Sequence, residues 1–334
     1  MPAKRPTAVV FIHGLAKKPA PDKLQELWLW GLGRDNPMPS VFAAPNQGID
    51  LNTLGVPRLF NYYADVFYGE DYETEFDSYY ESNESGEIHS EGLDQVEGDL
   101  KLPKPVTPRE QAFLTGFEAK LAANLATMPS TPPAAAPATP GAGNYEIAGW
   151  LPDSVKQAII KKAAMEAFYF LFDKEYTRKD GVRFKVRQEL RTRLLDKLKA
   201  AQALGEKLVI VSHSMGTMVA YDVLRNCADC PQVATLITLG SPLGVREVQD
   251  ELIAVDAKGV DFPAANLGRW INVYDPLDPV CGADPRLAND YKAVDGKQVE
   301  DIKESNWGSW RHTITHYFAG NRFRKLLAEA TGVA

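Results

Sequence analysis

Ser214 lies in Val-Ser-His-Ser-Met-Gly (211–216), between an apolar run and a segment of helical pattern. A serine hydroxyl is a weak nucleophile until a neighbouring base takes its proton. The S-x-S-x-G spacing is that of a nucleophile elbow, with Ser212 where a glycine is usual. Such a turn is tight, so the residues two before and two after the nucleophile must be small, as Ser212 and Gly216 are. The turn lifts the hydroxyl off the sheet. The helix that follows points its first amides at the same place, where an anion can form. A second donor is expected after the early apolar run Phe11-Ile12, which ends in His13-Gly14-Leu15. The expected oxyanion pair is the backbone amides of Leu15 and Met215. His13 itself then needs only to pack and hydrogen-bond locally.

A Ser…Asp…His order requires a carboxylate after a late strand and a histidine beyond it. Two acids follow the run 269–274: Asp275 and Asp278, in Asp-Pro-Leu-Asp-Pro-Val. Asp275 adjoins the strand and precedes a proline, which suits a turn. Asp278 lies further into the loop and is the favoured acid, with Asp275 as the alternative. Only His312 and His316 lie downstream of both. Thr313 suits the N-cap of a helix through Tyr317, which leaves His312 on the loop before it. His316 would then sit in the first helical turn. His312 is therefore the favoured base, with His316 as the alternative. His89 falls in an acidic stretch, and His213 is the variable residue beside the nucleophile.

Apolar, β-branched runs alternate with helical patterns, which signals a parallel sheet covered by helices. Strands are expected at 7–12, 59–68, 207–212, 233–239 and 269–274. Helices are expected at 108–127, 153–172, 184–201, 216–226 and 321–330, with Asp153 or Ser154 and Asn321 as caps. Val186, Leu190, Leu194 and Leu198 repeat at i+4, which makes one apolar stripe. The chain divides into a core of 1–69 and 183–334 and an insertion at 70–182. The insertion opens on an acidic segment, 70–100. It also contains a Pro/Ala/Gly tract, 128–143, whose composition is that of a flexible linker.

The chain has 334 residues, is 45% hydrophobic and 24% charged, and carries a net charge of −7. This is ordinary globular usage and excludes collagen, a coiled-coil rod and a mostly disordered chain. Residues 69–100 hold twelve Asp or Glu and no Lys or Arg, without the spacing of a calcium loop. No basic stripe marks a nucleic-acid partner. Three cysteines make no disulfide framework. Cys227 and Cys230 form a C-x-x-C without a second ligand pair, so no metal is expected. No run is long enough to span a membrane. The first apolar run stops at His13-Gly14 without a cleavage site, and the expected location is the cytoplasm.

VVFIHG (9–14), SHSMG (212–216), TLGSPLG (238–244), VYDPLDPV (273–280) and HTITHYF (312–318) occur in the order seen in serine esterases and lipases. On these pieces the chain resembles the α/β-hydrolase superfamily over 7–68 and from about residue 205 onward. The resemblance implies an α/β fold: an eight-stranded, mostly parallel sheet with helices on both faces. The insertion at 70–182 falls where such enzymes carry a variable cap or lid. It also implies cleavage of a small-molecule or lipid carboxylic ester by Ser214, Asp278 and His312 without a cofactor. The same triad serves thioesterases, acyltransferases and phospholipase-like enzymes that touch a membrane surface transiently. The reading from another class is a non-catalytic binding protein that uses its acidic insertion. The aromatic segment 168–172 is expected to line an acyl pocket or to be buried. Trp28 and Trp30 face either a pocket or the core. Lys17 and Lys18 are expected to be solvated, with an anion as the other possibility.

Overall fold

A computed structural model describes residues 6–14, 16–39, 41–72, 104–128, 153–252, 259–282, 284–307 and 310–333. Leu15, nearly all of the acidic segment with His89, and nearly all of the Pro/Ala/Gly tract lie outside them.

Six strands form one sheet in the order β2-β1-β5-β6-β7-β8. They are β1 (Thr7–Ile12), β2 (Arg58–Asn61), β5 (Lys207–His213), β6 (Val233–Leu239), β7 (Leu267–Tyr274) and β8 (Val299–Lys303). Every neighbouring pair is parallel. A short antiparallel hairpin, β3 (Glu175–Thr177) with β4 (Arg183–Lys185), stands apart and straddles the expected end of the insertion. The main sheet has two strands fewer, among the described residues, than the resemblance implied. It draws none of them from 70–182.

Alternation sorts each strand's side chains between two cores. Ala8, Val10 and Ile12 face one core, and Val9 and Phe11 the other. The first core is closed by α3 (Pro108–Ala126), α4 (Asp153–Leu171), α5 (Val186–Leu204), α6 (Gly216–Asn226) and α7 (Arg246–Leu252). The second is closed by α1 (Pro21–Gly33), α8 (Ile314–Ala319) and α9 (Asn321–Thr331). Helices thus cover both faces, which makes this an α/β fold. The stripe Val186, Leu190, Leu194 and Leu198 is fully buried, each side chain worth about 1.5–3 kcal/mol of transfer free energy. Phe168 and Phe170 are also buried in the first core. The apolar character of that segment is therefore spent on packing. No helix among the described residues is long and apolar enough to cross a membrane.

Three expectations need correction. The second strand ends at Asn61 instead of running to Tyr68, and a short helix, α2 (Asp65–Tyr68), follows. Its partner β1 stops at Ile12, and the Tyr63 amide bonds the His13 ring at 2.9 Å. No ladder is left for residues 62–68 to join. Asn321 is the first residue of α9 and not its cap; its amide reaches the Ala43 carbonyl instead. Lys18 is buried rather than solvated, while Lys17 pairs with Asp71 at 2.8 Å. Helix α1 and strand β8 were not foreseen. Trp28 of α1 packs edge-on against Phe11, Phe60 and Phe318. Trp30 stays half exposed with the Arg34 guanidinium over its ring.

Candidate active site

Parallel strands end on the same edge, so the loops after β1, β5 and β7 open side by side. The loop before α8 joins them. The elbow sits between β5 and α6, and Ser214 takes a φ of +55°. That left-handed backbone costs a non-glycine residue about 1–3 kcal/mol, and it persists only where its surroundings enforce it. Here the Ser214 amide donates to Leu239 at 3.0 Å, and the Thr217 hydroxyl donates to the Ser214 carbonyl at 2.6 Å. Ser212, in the place of the usual glycine, turns its hydroxyl to the Ile237 carbonyl of β6 at 3.3 Å. Gly216 faces the His13 carbonyl so closely that any Cβ would collide with it. Met215 is the N-cap of α6 and is buried.

The β1 loop lies directly against the elbow. A Cβ on Gly14 would stand 2.6 Å from the Ser214 Cβ and 3.1 Å from its Oγ. Gly14→Ala is therefore expected to destabilise the fold by about 1–3 kcal/mol through overpacking; a urea midpoint equal to the wild type's would contradict the close approach. His13 is held on both ring nitrogens: Nδ1 donates to the Gly14 carbonyl at 2.6 Å, and Nε2 accepts from the Tyr63 amide. Its ring stacks on Tyr63 at 4.1 Å. Its part is to fix the end of β1.

The two candidate acids have different neighbours. Asp278 is buried, and its carboxylate meets His312 Nδ1 at 2.8 and 3.0 Å. It also accepts from the Tyr317 hydroxyl at 2.6 Å and the Val280 amide at 2.8 Å. Burial alone would raise its pKa, but the His312 ring, its hydrogen bond, Tyr317 and Val280 outweigh burial and hold it below the usual carboxylate range. Asp275 instead accepts from the Leu277 and Asn306 amides and from Arg311 at 3.0 Å. That set clasps the loop.

The two candidate histidines also separate. His312 precedes α8, whose N-cap is Thr313. His316 is inside α8 and stacks on Trp307 with ring centroids 3.6 Å apart. His213, next to Ser214, donates from Nε2 to the His312 carbonyl at 2.9 Å, and the two rings lie 4.5 Å apart. The residue beside the elbow thus braces the His312 loop. Ser214 Oγ and His312 Nε2 are both buried with no hydrogen-bond partner among the described residues. Unpaired buried polar atoms are uncommon and call for an explanation. A hydroxyl and a ring nitrogen with open hydrogen-bonding capacity are the types of group that general acid–base chemistry uses. No group of His, Cys, Asp and Glu that could hold a metal is present among the described residues.

Tyr317 was not singled out from sequence. Its signal was its place in the helix that starts after His312, five residues on, which turns its hydroxyl back to Asp278.

A protein-family alignment described as "PGAP1-like alpha/beta domain" matches residues 147–264 of this chain. No curated protein matches it. Among solved structures, an uncharacterized protein from Pseudomonas aeruginosa is similar at 10% identity and a TM-score of 0.30, over 98% of this chain and 46% of its own. The chain thus spans less than half the length of that protein. The matched segment includes β5, the elbow and β6, and a parallel sheet that carries the elbow with helices on both faces is an α/β architecture that fits the α/β-hydrolase superfamily.

Proposed function

We propose that the protein is a serine hydrolase that cleaves a carboxylic ester with Ser214 as nucleophile, His312 as general base and Asp278 as its partner. The observation that carries this reading is the state of His312. Its Nδ1 is committed to Asp278, while Nε2 has no partner among the described residues. Because the carboxylate accepts, Nδ1 carries the proton, and neutral Nε2 offers its lone pair.

Ser214 Oγ attacks the ester carbonyl carbon as its proton moves to Nε2. The Asp278 carboxylate stabilises the imidazolium that forms. The carbonyl oxygen becomes an oxyanion, held by the amides of Met215 at the start of α6 and of Leu15, a pair typically worth about 3–4 kcal/mol per donor. Collapse expels the alcohol, which takes the proton from Nε2 and leaves an acyl-serine. Water, deprotonated by the same nitrogen, then attacks the acyl carbon; the acyl C–Oγ bond breaks, Nε2 returns its proton to Oγ, and the acid leaves. Burial of Ser214, His312 and Asp278 lowers the local dielectric and strengthens each of these interactions. The reaction needs no metal or cofactor. We assign the cap role to the insertion on its described helix α3, whose Asn124 donates to the Pro279 carbonyl beside Asp278 at 3.0 Å.

The test is labelling of the intact protein with a fluorophosphonate, followed by mapping of the adduct. Such a probe bonds only to a serine activated by a base and an oxyanion hole. The adduct is expected on Ser214. A folded protein that stays unlabelled, or that carries the adduct on another serine, would remove the proposal.

A further inference from the structure

Glu166 stands on α4, far in sequence from every residue assigned above, and it is buried. Its Oε1 accepts from the Ala16 amide at 2.7 Å and from the Tyr68 hydroxyl of α2 at 2.8 Å. Ala16 is two residues beyond Gly14, which touches Ser214. It holds a φ of +75°, a left-handed backbone unusual for a residue with a Cβ. A strained residue keeps such a conformation only where its neighbours impose it. The Ala16 amide donates to an acceptor on a helix 150 residues away.

Resting on the serine-hydrolase reading above, we propose that Glu166 is a positioning residue, which anchors the β1 loop to α4 and so sets the oxyanion donor that this loop supplies. Gly14 against Ser214 and Ala16 against Glu166 fix the loop on both sides of the expected donor. The groups that act on the Glu166 carboxylate are Tyr68 of α2, Lys18 of the loop and Lys162, one turn earlier on α4. Burial pushes its pKa up to about 7, against the pull of the Ala16 and Tyr68 bonds and the two lysines. Keeping an ionisable group in such a place is costly, and sites hold it where the supporting shell must be rigid.

The anchor needs an acceptor at this position, and a charge is secondary. Glu166→Gln retains the acceptor, whereas Glu166→Met keeps bulk and helix propensity but loses it. The rate of fluorophosphonate labelling and the kcat and KM for a p-nitrophenyl ester are measured on folded protein. Glu166→Gln is expected within about threefold of wild type. Glu166→Met is expected to lose about 10- to 100-fold in labelling rate and kcat, with KM little changed, as for a misplaced transition-state donor. Hydrogen exchange of the peptide spanning 13–20 gives a readout that does not depend on catalysis. Exchange at Ala16 is expected at least about tenfold faster in Glu166→Met and unchanged in Glu166→Gln, since a lost hydrogen bond frees the amide. Wild-type labelling, or undiminished Ala16 protection, in Glu166→Met would overturn the inference. If that variant fails to fold, Glu166→Asp is read in the same way, because its shorter side chain withdraws the oxygen from Ala16. Ser214→Ala separates the two ideas: labelling that survives in it defeats the serine-hydrolase reading, whereas the exchange result stands or falls alone.

Discussion

His312→Ala is expected to lower kcat/KM for a p-nitrophenyl ester by about 10⁴- to 10⁶-fold, the size of loss that follows when a triad base is removed. His316→Ala is expected to stay within tenfold, and the contrast between the two is the prediction. His312 presents Nδ1 to Asp278 and is braced by His213 from the elbow side. His316 is fully buried within α8 and packed face to face on Trp307. Its loss should therefore appear as stability, about 1–3 kcal/mol in a urea melt, through a cavity and lost stacking. Steady-state kinetics beside denaturant unfolding decide the matter. If the His316 variant lost the chemistry and the His312 variant kept it, the base assignment would be reversed.

Asp278→Asn is expected to cut kcat by about 10⁴-fold with the fold intact, because an amide in place of a carboxylate favours the wrong imidazole tautomer. Tyr317 and Val280 bond different oxygens of Asp278, so the single Asn oxygen can serve only one of them, and the NH₂ at the other position would face His312 Nδ1. That nitrogen would have to accept, which places the proton on Nε2, where the lone pair is needed. Asp275→Asn makes the complementary case. Asp275 takes two amides and Arg311 and touches neither Ser214 nor the His312 ring through any hydrogen bond. Weakening that clasp is expected to cost about 1–3 kcal/mol, with kcat within tenfold. Equal kinetic losses in the two variants would mean that the acid was not Asp278 alone.

The elbow was legible because it is local. An apolar β-branched run, a small residue on each side of Ser214 and a helical pattern are all contained in 207–226, and backbone sterics turn that pattern into strand, turn and helix. β1, β6 and the stripe on α5 were legible for the same reason, since a fully buried strand or helix face writes its period into the sequence. β8 was not, because its residues VEDIK are polar on an edge where burial is partial. The end of β2 was not, because it depends on where the partner strand stops. The i+4 stripe of α5 could be read from sequence, but the buried face it packs against could not.

The sequence by itself determined the class of fold, the place of the elbow serine and the short set of residues that could serve it as proposed: Asp275 or Asp278, His312 or His316. Only the tertiary structure decided which carboxylate meets which imidazole. That meeting joins residues 34 apart across a sheet edge, and a hydrogen bond depends on distances of a few tenths of an ångström that no residue pattern encodes. Tyr317 on Asp278 and Glu166 on Ala16 belong to the same class. Each is an ordinary residue of an ordinary helix until the chain is folded and its oxygen reaches a group elsewhere in the fold.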